Sequence, residues 1–176
     1  MSILDYFRRD PTHDWPECRP VPLVYDLARR ELNGIPEGAP VERLRALGRP
    51  GNRKPSWIGI FAYPRLGIQV HLGADHVRSV ACVFQANAAN TEIEGHPDFR
   101  PCAIELRTGG GERVRVTADT RRDEIERRFG PLALDAPEPA LPILRADVDG
   151  VWLDFEFGSD GRLRILDIEP EPPGES

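Results

Sequence analysis

Asp154 and Glu156 sit two residues apart in the stretch Gly150-Val-Trp-Leu-Asp-Phe-Glu-Phe157. Apolar residues alternate with them, so both carboxylates project from one face of a strand. Paired carboxylates on one face are suited to general acid–base work, and His71 would complete an Asp/Glu/His cluster for a small hydrolase or lyase. That chemistry also needs a base held by a third group and a pocket around them. His13, His71, His76 and His96 are scattered along the chain, and no nucleophile, base and orienting residue assemble from the sequence. The expectation is therefore a protein that is not an enzyme. Trp152 shares the face of Asp154 and Glu156. Tryptophan is enriched among binding hot spots, and neighbouring acids steer a cationic partner. On the other copy of the motif described below, Gln69 and His71 occupy the matching outward face. Trp57 and Tyr63 share one parity of a further strand, facing either the core or a partner.

No cofactor and no metal is expected. His71 and His76 flank a turn and lack two further ligands. Asp147-Val-Asp149-Gly150 opens like a calcium loop but has no closing glutamate, so Asp-Gly reads as a hairpin turn. Gly109-Gly110-Gly111 runs into Glu112-Arg113, which makes a hairpin tip and not a phosphate loop. Cys18, Cys82 and Cys102 have no metal-type spacing and read as reduced thiols.

The elements that position these residues repeat. Gly67-Ile-Gln-Val-His-Leu-Gly73-Ala-Asp75-His-Val77 echoes Gly150-Val-Trp-Leu-Asp-Phe-Glu-Phe-Gly158-Ser-Asp160. Each is a strand and a Gly-x-Asp turn leading into a second strand. Each follows a short helix, near 41–47 and 121–129, that ends in glycine shortly before proline. The predicted fold is α+β: two tandem units, each a short helix packed on an antiparallel β-meander. The expected organisation is an N-terminal arm over 1–20, repeat unit 1 over 21–84, a connector and repeat unit 2 over 85–168, and a disordered acidic tail over 169–176. Within the second unit, residues 131–142 read as a proline-rich loop.

Charge is uneven. Residues 1–88 carry 12 basic and 9 acidic groups, whereas residues 89–176 carry 11 and 20. Such asymmetry suits a basic partner. A nucleic-acid binder would concentrate basic residues, but Arg121, Arg122, Arg127 and Arg128 lie beside Asp123 and Glu124 on one helix. No apolar run is long enough for a membrane helix and the start is no secretory signal, so a cytoplasmic protein is expected.

Gly34-Ile-Pro-Glu-Gly38-Ala-Pro-Val41-Glu-Arg-Leu44-Arg-Ala-Leu47-Gly48-Arg-Pro50 and Thr120-Arg-Arg-Asp-Glu-Ile125-Glu-Arg-Arg-Phe129-Gly130-Pro131 resemble a known signature. It belongs to the β-lactamase inhibitor protein fold and the related small outer-membrane assembly lipoproteins, and would cover residues 23–84 and 103–168. Tandem sheet modules of this size are also similar to bacterial immunity proteins. The resemblance implies a non-enzymatic protein-binding module that meets its partner through an outward sheet face. The expected contact residues are Trp152, Asp154, Glu156, His71 and Gln69, and the expected partner is a basic protein. A structural adaptor subunit of a cytosolic complex is the further alternative.

Overall fold

A computed structural model describes residues 10–52, 59–86, 91–136 and 143–170. Twelve strands among these residues form two sheets. β1 (Leu23–Asp26), β2 (Glu31–Leu32) and β3 (Ile35–Pro36) precede a 3-10 helix (Val41–Leu47). β4 (Ile60–Tyr63), β5 (Ile68–Gly73) and β6 (His76–Val83) form a meander. β7 (Ile104–Arg107), β8 (Arg113–Val116), α1 (Arg122–Phe129) and β9 (Ala133–Ala136) follow. A second meander closes the described chain: β10 (Ile143–Val148), β11 (Val151–Phe157) and β12 (Leu163–Pro170).

The expected α+β pair of helix-on-meander units is corrected by this arrangement. The two meanders are halves of one antiparallel sheet, in the order β4-β5-β6-β12-β11-β10-β9. They join where β12 pairs with β6, with Ile165 opposite Val83 and Ile168 opposite Val80. The remaining strands make a second sheet, β3-β2-β1-β7-β8, in which β1 and β7 run parallel. The protein is mostly β, with short helices at its margins. The physical reason is burial. Neither meander has an apolar face that one seven- or eight-residue helix could cover, so the two sheets cover one another. Tyr25, Leu106 and Val114 from one sheet share a core with Phe61, Val70, Leu153, Phe155 and Leu166 from the other, and Leu44 and Ile125 of the helices join it. Each such fully buried side chain stabilises the fold by about 1.5–3 kcal/mol.

The sequence echo has a local counterpart. Pro40 forms an isolated antiparallel bridge with His76, and Arg121 forms one with Arg162. Each helix thus starts against the hairpin of its own meander. Each ends on a glycine in nearly the same conformation, Gly48 at φ 87° and Gly130 at φ 84°. The first helix is 3-10 over seven residues, longer than the three or four usual for that form.

Two segments lie outside this frame of strands. Residues 10–18, expected as part of an irregular arm, dock through Trp15, whose ring centroid is 6.1 Å from that of Phe61. The connector before β7 packs Ile93 and Phe99 on Ala62, Val83 and Ile165, on the sheet face away from the main core. It crosses the β4–β5 turn at Gly67, where φ is +67° and the backbone of Arg100 and Cys102 leaves no room for a side chain. In the stretch expected as a proline-rich loop, Ala133–Ala136 forms β9 instead, paired with β10. Glu169 and Pro170, expected in the tail, belong to β12. Trp57, residues 137–142 and the tail from 171 onward fall outside the described residues. Among the described residues, no helix is long and apolar enough to cross a membrane.

Candidate functional site

The outward face of the seven-stranded sheet carries all five residues singled out from the sequence. Strand alternation puts them there. In β11, Val151, Leu153, Phe155 and Phe157 are buried, while Trp152, Asp154 and Glu156 are partly exposed. The register draws one continuous row across the sheet: Ala62, Gln69, Ala81, Asp167, Asp154, Arg145 and Ala133. Gln69 and His71 lie on β5, three strand spacings from β11, or about 14 Å. His71 and the two carboxylates of β11 are therefore not one catalytic cluster.

The β11 group is a bonded network. Arg145 holds Asp154 with two hydrogen bonds of 2.7 and 2.5 Å. Arg164 holds Glu156 at 2.9 Å. A bulge opposite Glu156 and Phe157, where Leu163 and Ile165 pair but Arg164 does not, gives Arg164 its place. Both pairs are largely withdrawn from water, Asp154 at 12% and Arg164 at 12% side-chain exposure. The guanidinium of Arg145 also lies 4.0 Å from the centroid of the Trp152 ring. This is cation–π geometry, and it fixes the ring.

Asp154 and Glu156, expected to steer a partner, are neutralised at short range by Arg145 and Arg164. Trp152 is flanked in register by Asp147 on β10 and Glu169 on β12. Neither acid forms an ion pair among the described residues. Asp147 is exposed and Glu169 partly so. Sequence reasoning missed both, and also Arg145. The signal was available: a two-residue Asp149-Gly150 turn, with φ of 55° and 71°, places 148 opposite 151 and 147 opposite 152.

Between the two groups stands Asp167, paired with Ala81 on one side and Asp154 on the other. Burial pushes its carboxyl up to about 7, and the carboxylates of Glu169, Asp154 and Glu156 add to the effect. Burial, helped by Arg78, holds the His71 imidazole below its ordinary value. Among the described residues, Nε2 of Gln69 and Nε2 of His71 are buried with no hydrogen-bond partner. A buried donor without a partner costs about 1–3 kcal/mol. Gln69→Leu is accordingly expected to raise unfolding free energy by about 1 kcal/mol, read from urea midpoints at constant m. A loss of similar size would show that the amide is satisfied in solution.

A separate cleft of about 380 Å³ is lined by Trp15, Cys18, Arg49, Tyr63, Arg65 and His96, among others. It contains none of the five expected residues. Tyr63, weighed as a contact residue, is fully buried there. The arginines of the cleft hold chain segments together. Arg65 bonds Glu17, and Asp98 at 3.5 Å, while Arg49 reaches the Thr12 carbonyl at 3.1 Å. Among the described residues no group of three or more His, Cys, Asp or Glu is placed to hold a metal ion.

No family model matches the chain, and no curated protein matches it. Among solved structures it is similar to a DUF4309 family protein (YjgB) from Bacillus subtilis subsp. subtilis str. 168. The two are 12% identical over 78% of this chain and 82% of that chain, with a TM-score of 0.50. At that identity the likeness is one of fold alone.

Proposed function

We propose that this chain is a non-enzymatic protein-binding module that takes a basic protein on the outward face of its seven-stranded sheet. An inhibitor or immunity protein is the form of module that suits this reading. The observation that carries it is the setting of Trp152, a half-buried ring held under Arg145 with Asp147 and Glu169 on either side. A fixed aromatic loses little entropy when a partner covers it, and unpaired flanking carboxylates attract cationic side chains. The contact then centres on Trp152, with Asp154 and Glu156 holding the platform through Arg145 and Arg164. His71, partly exposed, lies at the far side of the same face, whereas Gln69 beside it is buried and offers a partner no surface.

The test is capture of a protein from the native host's lysate on immobilised wild-type chain, followed by surface plasmon resonance with the purified partner. Trp152→Ala is expected to weaken affinity by roughly 2 kcal/mol, mainly through faster dissociation. Asp147→Asn with Glu169→Gln should slow association, and the difference from wild type should shrink as salt shortens the Debye length to about 8 Å. A partner that binds all these variants like wild type places the interface elsewhere. Turnover of a substrate abolished by Asp154→Asn would support the hydrolase or lyase reading instead.

A further inference from the structure

We infer that the open edge of β8 accepts an extended acidic segment of another protein as an added strand. This is independent of the Trp152 face and concerns the other sheet. Among the described residues β8 is the outermost strand of that sheet, paired only with β7. The amide of Thr108 donates to the Glu112 carbonyl at 3.0 Å, which sets the hydrogen-bonding phase of the ladder. Bonded and non-bonded pairs alternate in an antiparallel ladder. Leu106 with Val114 and Ile104 with Val116 are then the bonded pairs, whereas Arg107 faces Arg113 and Glu105 faces Arg115 in the non-bonded ones. The N–H and C=O groups of Arg113 and Arg115 consequently point away from β7, where a further strand would lie.

The side chains agree with the backbone. Val114 and Val116 are buried and anchor the strand, while Arg113 and Arg115 are exposed. Neither arginine makes a hydrogen bond or ion pair among the described residues. The acids beside them are already engaged, Glu105 by Arg107 at 2.7 Å and Glu112 by Arg128 at 3.2 Å. Two other edges are closed. The β4 edge is capped by Gly51, whose amide donates to the Ala62 carbonyl, and by Asn52, which bonds both Ala62 and Ile60. β3 is two residues long and turns at once into Gly38, whose amide donates to Val77.

Charge selects the occupant. A second copy of β8 laid antiparallel would set arginine against arginine, and like charges directly opposite are destabilising. A strand with an acid at every second position would instead place carboxylates beside Arg113 and Arg115. Main-chain bonds supply the affinity in such strand addition, and the alternate side chains supply the choice of partner.

The experiment uses the full chain, isotopically labelled, and two synthetic peptides: one alternating glutamate with threonine, the other alternating lysine with threonine. The glutamate peptide is expected to slow hydrogen exchange at the amides of Arg113 and Arg115, and the lysine peptide is not. Reversing both charges, Arg113→Glu with Arg115→Glu, should weaken the glutamate peptide by roughly tenfold or more and admit the lysine peptide. The inference is overturned if the glutamate peptide fails to bind, if it binds without protecting those two amides, or if both peptides bind alike. Should the charge-reversed protein not fold, the comparison of the two peptides on wild type decides alone.

Discussion

Asp167→Asn is expected to stabilise the protein at pH 8 by as much as about 4 kcal/mol, and to change little at pH 3 to 4. The size comes from a carboxyl with an ordinary value of 3.8 that burial and three nearby carboxylates raise to about 7, at about 1.4 kcal/mol per pKa unit. The direction follows from proton linkage. Because the folded value exceeds the unfolded one, the folded state holds a proton that the unfolded state releases first. The stability tied to that proton is complete below about pH 3.8 and is lost as pH rises through about 7. Asparagine carries no such loss. His71 works in the opposite sense: its folded value lies below 6.5, so its contribution is present above pH 6.5 and is lost as pH falls. Once Asp167 is replaced, the slope due to His71 should emerge, with stability rising as pH climbs towards 6.5 and levelling off above it. Urea unfolding across pH measures both. A gain that is the same at pH 4 and pH 8 would mean that Asp167 titrates like a surface carboxylate.

Gly67→Ala is expected to destabilise the fold by about 3 kcal/mol or more, a size seen where backbone strain and overpacking coincide. A Cβ at this position would lie 2.5 Å from the Arg100 carbonyl oxygen and 2.5 Å from the Cys102 nitrogen, at a φ of +67°. All the obstructing atoms are backbone, so no side chain can swing aside. For a chain of this size the loss amounts to roughly 6–12 °C in melting temperature. Exchange should rise first around Ile93 and Phe99, since the strained crossing ties down the segment that carries them. A variant that melts with wild type would show that the connector does not cross here in solution.

What the sequence makes legible divides along range. The parity of β11, and so the common face of Trp152, Asp154 and Glu156, is written in alternation over seven residues. The two-residue Asp149-Gly150 turn extends that knowledge to the neighbouring strand, because it leaves one register available. β9 was hidden for a local reason. Ala133-Leu-Asp-Ala136 has weak strand propensity, and pairing with β10 overrides it. Other features had no local signal at all. The union of β6 with β12 and the parallel pairing of β1 with β7 depend on how two distant apolar faces meet. The candidate site inherits both situations. Its face was legible, but the guanidiniums that neutralise Asp154 and Glu156 arrive from β10 and from a bulge in β12. Their arrival exchanged the free acids for Asp147 and Glu169.

The central seam of the large sheet also sets an order of events in time. β6 cannot complete its hydrogen bonding until β12 is available, and the pairing joins Val83 to Ile165 across intervening residues that include the whole of β7 to β11. While the chain is being made, the first meander therefore waits with β6 as a bare, largely apolar edge. Closing so long a loop comes late and slows folding, and an unpaired edge of this kind invites association with other nascent chains. The same seam ties the halves together afterwards: pulling β12 out strips β6 of one of its two neighbouring strands, so the two meanders should unfold as one cooperative unit.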